Sequence, residues 1–310
     1  MNEAKRFIVT GGCGFIGSHL VELLISLGHT VFVIDDLSSG YLSNIEGLDG
    51  DIRVYSDKVQ NFDFKTLHDI SGVFHLAAQA SVPYSINNFF ESSSANILST
   101  FKVIEFCTKR KIPLVYATSS AVYGNLPFGT ESGMIELLSP YAADKYSMEM
   151  YTMASFNLNL LPSFGLRFFN VYGPRQDASS PYSGVISIFV DRIKKGMPIT
   201  INGGYQTRDF IFVRDVVQCI YKSYQYLLVN NLAIISNVLT GKSISINELV
   251  ENLSLLMDKE PERIYQPLSQ GDPVSSLGSI ENLEMLLGVR CSDFVSIVDG
   301  LRETINFMYK

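Results

Sequence analysis

The sequence predicts an α/β fold built on a doubly wound parallel sheet, and three features support this prediction. Apolar strand patterns alternate with helical patterns through the first half of the chain. A glycine-rich turn follows the first strand, and reactive side chains follow two later strands. Sheets of this kind bind ligands outside the carboxyl ends of their strands, so we expect the functional site there.

The composition indicates a globular chain with an acidic balance. Its 310 residues are 46% hydrophobic and 18% charged, which suffices for a large core domain with a smaller lobe. The chain has 24 basic and 31 acidic residues, a formal net charge of −7 and no basic run. These features argue against nucleic acid as a partner.

A glycine-rich turn follows the first apolar strand, at residues 7–10. Gly11, Gly14 and Gly17 are spaced by three residues, and the run from Leu20 has helical periodicity. Glycine allows the turn dihedrals and a close approach of a phosphate, while the helix N-terminus offers N–H groups and a positive dipole end. The turn therefore predicts a binding site for the pyrophosphate of a dinucleotide.

An acidic pair follows the second predicted strand, at residues 30–34. Asp35 stands eighteen residues after Gly17 and is followed by Asp36. A carboxylate at this place accepts hydrogen bonds from the adenosine ribose and repels a 2′-phosphate. The sequence therefore predicts NAD, in preference to NADP, as the cofactor.

Further strand and helix patterns continue the alternation. The predicted strands lie at 52–55, 72–76, 112–118 and 164–168, and the predicted helices near 61–69, 91–110 and 141–157. After residue 169 the elements become shorter and loops more frequent. We predict a first domain at 1–169 with a returning segment at about 205–237, and a smaller C-terminal α/β substrate lobe at 170–204 and 238–310.

The predicted returning segment and the C-terminus have patterns of their own. A helix at 214–229 is predicted between two strands, at 210–213 and 233–236, and a helix is predicted at 293–309. The chain has no internal repeat.

No metal site or membrane segment is expected from the sequence. The cysteines and histidines are scattered without the spacing of metal ligands. No apolar run approaches the roughly 20 residues that a membrane-spanning helix needs. The N-terminus lacks the apolar stretch of a signal peptide. We therefore expect a cytoplasmic protein with reduced thiols.

A tyrosine and a lysine stand four residues apart at the start of a predicted helix. Tyr141 and Lys145 share one face of that helix, and Ser119 follows the strand before it. An ammonium group near the phenol, together with the positive nicotinamide, would lower the pKa of Tyr141 from its usual value of about 10. Tyr141 is therefore a candidate general base at neutral pH.

The glycine turn, the acid after the second strand, the serine after a later strand and the Tyr-x-x-x-Lys motif occur in a fixed order. With these features the chain resembles the extended short-chain dehydrogenases/reductases, specifically the nucleotide-sugar epimerase and dehydratase family, over nearly its whole length. The resemblance implies a Rossmann NAD-binding domain. It also implies that Ser119, Tyr141 and Lys145 are the catalytic residues.

The resemblance assigns the remaining site residues. Those implied to contact NAD, besides Tyr141 and Lys145, are Gly11, Gly14, Phe15, Ile16, Gly17, Asp35, Asp36, Ser39, Gly40, Asp57, Leu76, Ala77, Ala78, Gln79, Asn96 and Phe169. Those implied to contact the substrate are Ser119, Asn170, Arg208, Asp272 and Ser276. Arg208 also suits this role chemically, because a permanent cation pairs well with a diphosphate.

The residues after Ser119 indicate the reaction. Family members that dehydrate or decarboxylate a sugar carry acids there, whereas this chain has Ser120 and Ala121. The resemblance then implies 4-epimerisation: Tyr141 takes the proton of the C4 hydroxyl, Ser119 hydrogen-bonds the same oxygen, and hydride passes to NAD and returns to the opposite face. Lys145 would hold the nicotinamide ribose.

Three other functions remain as alternatives. A 4,6-dehydratase or decarboxylase is disfavoured by Ser120 and Ala121. A 4-ketosugar reductase more often uses NADP, which Asp35 disfavours. A protein that senses NAD without turnover has no need of a catalytic serine, tyrosine and lysine together.

The substrate is expected to be a UDP-hexose. The family pattern has an arginine two residues before a Gly-Asp pair, and this chain has Ser269 there, so Arg263 or Arg175 would have to replace that diphosphate contact. Seven residues further, Ser276 stands where relatives carry either a bulky aromatic or a small residue. A small residue leaves room for an N-acetyl group, which favours UDP-GlcNAc and UDP-GalNAc, alongside UDP-Glc and UDP-Gal.

The helices predicted at 91–110 and 141–157 carry more apolar residues than one buried face needs. The residues concerned are Ile97, Phe101, Ile104, Met148, Met150, Tyr151 and Met153. Core packing would account for them equally well. Because family members commonly pair through these helices, the resemblance implies a homodimer.

Overall fold

The structure is a computed structural model that describes residues 4–179, 184–268 and 273–309. Its strands are β1 (Arg6–Thr10), β2 (Thr30–Asp35), β3 (Ile52–Ser56), β4 (Gly72–His75), β5 (Leu114–Ser119), β6 (Ser163–Phe168), β7 (Asn170–Tyr172), β8 (Ile199–Asn202), β9 (Thr207–Phe212), β10 (Ala233–Val238), β11 (Ser243–Ser245), β12 (Arg263–Gln266) and β13 (Ser275–Ser276). Its α-helices are α1 (Phe15–Ser26), α2 (Val82–Asn87), α3 (Phe89–Arg110), α4 (Pro140–Asn159), α5 (Val185–Lys194), α6 (Val213–Val229), α7 (Ile246–Met257), α8 (Glu281–Leu287) and α9 (Ile297–Tyr309).

A seven-stranded sheet forms the centre of the fold, in the order β10-β6-β5-β4-β1-β2-β3. Strand β1 pairs in parallel with both β2 and β4, and the pairs β2–β3 and β4–β5 are also parallel. The order reverses at β1, so the carboxyl ends of β1 and β4 flank the switch point where such sheets bind ligands. The predicted doubly wound α/β class is confirmed.

Apolar runs explain why these strands occupy the middle of the sheet. Phe7, Ile8 and Val9 of β1 have no solvent exposure, so the strand is covered on both faces. Helix α1 packs on β1 and β2, α3 packs on β4, and α4 packs on β5 and α3. These helices hold the carboxyl ends of the strands in fixed places.

The chain divides into two compact units. The first contains residues 1–119, 139–167 and 217–236, and the second contains residues 120–138, 168–216 and 237–310. In the second unit β9 lies between β11 and β13 and also pairs with β7. Helices α5, α7 and α9 pack on this part of the chain around a buried apolar cluster that includes Phe189, Phe212 and Leu249.

Two local features differ from the sequence predictions. The helix predicted near 61–69 is a single 3-10 turn, Phe64–Thr66, because the Asp63 side chain accepts a hydrogen bond from the Lys65 backbone N–H and Phe62 and Phe64 are both buried in the core. The strand predicted at 210–213 belongs to the sheet of the second unit, whereas β10 joins the central sheet. The chain therefore returns to the first unit later than the sequence predicts.

Candidate active site

In the glycine turn between β1 and α1, backbone segments pack so closely that no space is left for a side chain at Gly11 or Gly17. A β-carbon on Gly17 would lie 2.0 Å from the carbonyl oxygen of Gly11, and one on Gly11 would lie 2.8 Å from the backbone nitrogen of Ala77. Gly11 also has a φ of +70°, in the left-handed region that favours glycine. The spacing of these glycines therefore has a steric cause, since any side chain here would separate the turn from its neighbours.

The first turn of α1 fits the predicted pyrophosphate. Gly14 caps the helix without a side-chain hydrogen bond, and a β-carbon there would meet just one neighbour within 4 Å, the oxygen of Gly11 at 3.2 Å. Phe15 and Ile16 open the helix, where backbone N–H groups lack intrahelical partners. These N–H groups and the positive end of the helix dipole would hold the phosphates of NAD.

Asp35 at the end of β2 is buried, with 6% of its surface exposed. Its carboxylate accepts hydrogen bonds from the backbone N–H groups of Cys13 and Leu37, each at 2.9 Å. Burial raises the pKa of Asp35, and these N–H groups oppose the rise. A carboxylate has about four acceptor sites, so Asp35 can orient the glycine turn and still accept from a ribose hydroxyl. Asp36 binds locally, to the N–H and hydroxyl of Ser38.

The loop after β2 packs directly on the glycine turn. A β-carbon on Gly40 would lie 2.8 Å from the carbonyl carbon of Cys13, and the Tyr41 N–H and Asn44 side chain both donate to the Cys13 carbonyl. Asn44 is a supporting residue that the sequence patterns do not indicate. Ser39 lies in this loop, and Asp57 follows β3, where it accepts from the Lys58 N–H at 2.7 Å.

The buried side chain of His75 helps to hold the predicted cofactor loop, residues 76–79, in place. The Thr10 hydroxyl accepts hydrogen bonds from the N–H groups of Leu76 and Ala77, each at 3.2 Å, so its own hydrogen points to His75 Nδ1 at 2.7 Å. His75 Nε2 therefore carries the ring proton and donates to the Thr100 hydroxyl at 3.3 Å. Burial lowers the pKa of His75 to about 3, so the ring is neutral at neutral pH.

Asn96 on α3 fixes the far end of this loop. Its side-chain oxygen accepts from the Gln79 N–H at 2.8 Å, and its amide nitrogen donates to the Gln79 carbonyl at 3.2 Å. The amide thus pairs with both backbone groups of Gln79, as a neighbouring strand would. Ala78 lies between these anchored residues, and the predicted cofactor loop is held at both ends.

The three predicted catalytic residues meet at the end of β5. Ser119 is the last residue of β5, Tyr141 the second residue of α4, and Lys145 follows one turn later. Hydrogen bonding from the Ser119 side chain lowers the pKa of the Tyr141 phenol. Lys145 Nζ donates to the Ala117 carbonyl at 2.8 Å and lies 5.8 Å from the centre of the Tyr141 ring.

Capping explains why α4 begins where it does. The Ser139 hydroxyl accepts from the Ala142 N–H at 3.1 Å, and Pro140 occupies the first helical position, where no N–H is needed. The Tyr141 N–H donates to the Ser85 hydroxyl at 3.2 Å. These contacts fix Tyr141 at the start of the helix relative to β5.

Burial shifts the pKa values of both members of the Tyr141–Lys145 pair. Burial raises the pKa of Tyr141, and the hydrogen bond from Ser119 opposes that rise. Ser119 is therefore a protein group that lowers the pKa of the phenol. Burial also lowers the pKa of Lys145 to about 8, so its ammonium form is lost as the pH rises through that value.

A buried ion pair lies beneath this cluster. Arg167 of β6 donates to both carboxylate oxygens of Glu149 on α4, at 2.9 and 2.7 Å, and the two side chains are 2% and 0% exposed. The Thr118 hydroxyl, next to Ser119 on β5, donates to the same carboxylate at 2.7 Å. The pair therefore ties α4 to two strands of the sheet.

In the second unit, the sheet built on β9 brings three predicted substrate residues together. Ser276 of β13 stands opposite Arg208 of β9, and the Asn170 side chain of β7 donates to the Asp209 carbonyl at 3.0 Å and to the Ser276 hydroxyl at 3.3 Å. Arg208 is buried and donates to the Thr207 carbonyl. A small hydroxyl, an amide and a cation thus form one cluster.

Other residues of the predicted substrate and cofactor sites have different outcomes. Asp272 and Ser269 lie outside the described residues. The Arg263 side chain forms an ion pair with Glu260. Phe169 donates its N–H to the Val238 carbonyl at 3.1 Å.

Neither a metal centre nor a membrane segment is found in the described part of the chain. Residues 4–179, 184–268 and 273–309 contain no group of three or more His, Cys, Asp or Glu that could hold a metal ion. None of the helices in those ranges is long and apolar enough to cross a membrane. Cys13, Cys107, Cys219 and Cys291 are buried and form no disulfide.

Comparison with known proteins supports the family that the sequence resembles. The model of the NAD dependent epimerase/dehydratase family matches residues 7–230. The chain belongs to this family. It is 35% identical over 311 aligned residues to a putative UDP-glucose 4-epimerase of Methanocaldococcus jannaschii, covering 97% of each chain.

Solved structures of epimerases superpose closely on this member of the NAD-dependent epimerase/dehydratase family. A UDP-N-acetylglucosamine 4-epimerase from Methanobrevibacter ruminantium, in complex with UDP-N-acetylmuramic acid, matches with a TM-score of 0.94 and 36% identity over 99% of each chain. A UDP-glucose 4-epimerase from Thermus thermophilus, in complex with NAD, matches with a TM-score of 0.86 and 32% identity, covering 98% of this chain and 99% of that one. A dehydratase and a decarboxylase are also among the matches.

These matches confirm the predicted family, and NAD is the cofactor of that family. Members of the family catalyse several different reactions on nucleotide sugars. Membership therefore makes this chain an NAD-dependent enzyme of that group, and its own reaction has to be argued from the site. The candidate site also contains supporting residues that the sequence did not indicate: Asn44, Ser85, Thr100, Glu149 and Arg167.

Proposed function

We propose that the chain is a UDP-sugar 4-epimerase, which oxidises C4 of the sugar and then reduces it on the opposite face. The observation that carries the proposal is the meeting of Ser119, at the end of β5, with Tyr141 and Lys145, one turn apart at the start of α4, where Lys145 Nζ lies 5.8 Å from the centre of the Tyr141 ring. Ser120 and Ala121 directly follow Ser119, so this segment offers no carboxyl group for an elimination step. Oxidation and reduction at one carbon need a base, an orienting hydroxyl and the cofactor.

The residues of the first unit divide the chemistry among them. Tyr141, as phenolate, accepts the proton of the C4 hydroxyl, and Ser119 donates a hydrogen bond to the same oxygen. Lys145, charged below about pH 8, offsets the negative charge of the phenolate. NAD held by the glycine turn and Asp35 would supply the hydride acceptor and donor at C4, so no net cofactor would be consumed.

The reaction can be identified from the mass of the product. An epimerase leaves the mass of the nucleotide sugar unchanged, whereas a dehydratase lowers it by one water and a decarboxylase by one carbon dioxide. We expect mass spectrometry of the recovered nucleotide sugar to show an unchanged mass together with a second isomer on chromatography. A product lighter by one water would favour the dehydratase alternative.

The second unit supports a UDP-sugar with room for an N-acetyl group. Arg208 is a permanent cation suited to a diphosphate, and Asn170 offers an amide beside it. Ser276 is small and lies against Asn170, so the cluster carries no aromatic ring at this position. The resemblance to a UDP-N-acetylglucosamine 4-epimerase supports UDP-GlcNAc and UDP-GalNAc as the pair, with UDP-Glc and UDP-Gal also accepted.

Replacing Ser276 with tyrosine tests this pocket. A ring at this place would fill the space proposed for the N-acetyl group, so we expect kcat/KM for UDP-GlcNAc to fall about tenfold or more relative to that for UDP-Glc. Ser276→Ala is the matched control, because it removes the hydroxyl bonded to Asn170 and keeps the space. If S276Y leaves the ratio of the two rates unchanged, Ser276 does not select the sugar.

An exposed apolar face on α3 and α4 supports the proposed homodimer. Phe90 of α3 is 85% exposed and Leu98 is half exposed. The ring of Phe101 packs on the ring of Tyr151 of α4, with 4.5 Å between the two ring centres. Ile104 and Met148, which the sequence also suggested for this face, are instead buried in the core. We propose that the exposed side chains of this face pair with a second copy of the chain.

Charge on this face is expected to separate the subunits. We expect the variant Phe90→Glu/Leu98→Glu to have half the mass of the wild type in light scattering, because two carboxylates would be buried without partners. The control Leu255→Glu alters a residue of α7 that is 82% exposed, and should leave the mass unchanged. A wild-type protein with the mass of a single chain would contradict the dimer.

A further inference from the structure

A buried carboxylate, that of Asp144, lies between Tyr141 and Lys145 in the sequence of α4. Asp144 stands three residues after Tyr141 and directly before Lys145 on α4, and 4% of its surface is exposed. A charged group at such a place is costly unless it is hydrogen-bonded or paired. Neither the glycine turn nor the Tyr-x-x-x-Lys motif requires an acid here.

Asp144 is bound by the residue that anchors the cofactor loop. The Asn96 amide nitrogen donates to Asp144 Oδ2 at 2.9 Å and to the Gln79 carbonyl at 3.2 Å, while the Asn96 oxygen accepts from the Gln79 N–H. Both amide hydrogens and the carbonyl oxygen of Asn96 are therefore used, which fixes the orientation of the amide. A continuous chain of hydrogen bonds runs from the catalytic helix to the loop at Gln79.

The carboxylate also lies close enough to affect both catalytic groups. Its negative charge raises the pKa of Tyr141 and raises that of Lys145. The second effect opposes the burial that lowers the pKa of Lys145, and so helps to keep the ammonium charged near neutral pH.

We propose that Asp144 is a positioning residue with two roles: through Asn96 it holds the cofactor loop against the catalytic helix, and through its charge it keeps Lys145 protonated beside Tyr141. The proposal rests on the proposed function, in which Tyr141 is the base. The Asp144 carboxylate makes the phenol of Tyr141 less acidic, and it keeps the Lys145 ammonium charged.

The other groups around the pair do not replace this charge. On β4, His75 is neutral, because burial lowers its pKa to about 3. On β5, Ser119 and the Ala117 carbonyl are uncharged. One turn further along α4, Glu149 is neutralised by Arg167 of β6.

Two substitutions separate the two roles. Asp144→Asn removes the charge and keeps an oxygen that can accept from Asn96, whereas Asp144→Ala removes both. Asp191→Asn is the matched control, since it makes the same change on α5, where the carboxylate pairs with Lys195. NAD is stripped from each protein, and its binding is measured by calorimetry.

The ionisation of Tyr141 is measured without turnover. The near-ultraviolet phenolate absorbance of each protein is titrated against the same protein carrying Tyr141→Phe, so that the difference reports Tyr141. We expect D144N to titrate at a pH lower by about half a unit or more, because a nearby negative charge has been removed. We expect D191N to titrate like the wild type.

The turnover profile gives the second electrostatic readout. Removal of the charge lowers the pKa values of both Tyr141 and Lys145, so both limbs of the pH–rate profile should move to lower pH in D144N, whereas a purely structural defect would lower the rate at every pH alike. For NAD, we expect D144A to bind several-fold more weakly than the wild type and D144N to bind within about twofold of it.

The outcomes distinguish this proposal from the proposed function. A difference titration that does not move in D144N would overturn the electrostatic role, and unchanged NAD affinity in D144A would overturn the positioning role. Both measurements hold whether or not the enzyme epimerises a sugar. Absence of epimerisation by the wild type, with the titration shift present, would reject the proposed reaction alone.

Discussion

Replacing Tyr141 with phenylalanine is expected to lower turnover by a factor of about 10²–10⁴, because the substitution removes the proposed general base. The ring volume is retained, and the helix start is still capped by Ser139 and bound to Ser85 through the backbone N–H of residue 141. NAD should therefore remain bound. The expected result is a folded holoenzyme that is nearly inactive.

Two measurements on one preparation check this expectation. The rate of C4 inversion is followed by proton NMR, and the NAD content is measured after denaturing the protein. Tyr226→Phe is the matched control, since Tyr226 packs on Phe164 and has no assigned role in the chemistry. Undiminished activity in Y141F would remove Tyr141 from the mechanism, and loss of NAD would indicate a role in binding.

Replacing Arg167 with methionine is expected to lower the free energy of unfolding by about 3–5 kcal/mol, the typical cost of leaving one partner of a buried ion pair uncompensated. The methionine fills much of the arginine's volume, so the cost comes from the unpaired Glu149 carboxylate. The Thr118 hydroxyl is then the remaining donor to that carboxylate. Urea unfolding of the variant and the wild type measures the difference.

A second substitution separates charge from packing. In Glu149→Gln/Arg167→Met the carboxylate is gone, while the glutamine oxygen can still accept from Thr118. We expect this double variant to recover most of the stability lost in the single one, because neither buried group is charged. A double variant as unstable as R167M would mean that the arginine contributes through packing rather than charge.

Most of the fold could be predicted because its signals are local in sequence. The strand at 52–55, the helix at 91–110 and the helix at 141–157 agree with β3, α3 and α4 to within a few residues. Apolar runs and helical periodicity report burial directly. The prediction of a helix near 61–69 is wrong. Phe62 and Phe64 are both buried in the core, and side chains two residues apart do not lie on one face of a helix.

The parts of the site that the sequence could not predict depend on contacts between distant residues. The glycine spacing and the Tyr-x-x-x-Lys motif are local, and the structure gives each a geometric reason. The pairing of Asn96 with Asp144 and of Glu149 with Arg167 joins elements that fold together through the sheet order. No spacing rule encodes such pairs, since they depend on which strands become neighbours.

The direction of the phenol's pKa shift illustrates the same limit. The sequence places a lysine one turn from Tyr141, which together with a bound nicotinamide predicts a lowered pKa of the phenol, whereas burial in the folded chain acts to raise that pKa. Burial depends on packing around the whole helix, and so it cannot be read from the spacing of two residues.

The measurement that tests the central claim most directly is proton NMR of the purified protein mixed separately with UDP-GlcNAc and UDP-Glc, without added NAD. We predict that the anomeric signal of the C4 epimer appears in time, since each cycle regenerates the cofactor, and that UDP-GlcNAc is converted at a substantial rate. A 4-keto-6-deoxy product, or no change in either sugar, would contradict the proposal that this chain is a UDP-sugar 4-epimerase.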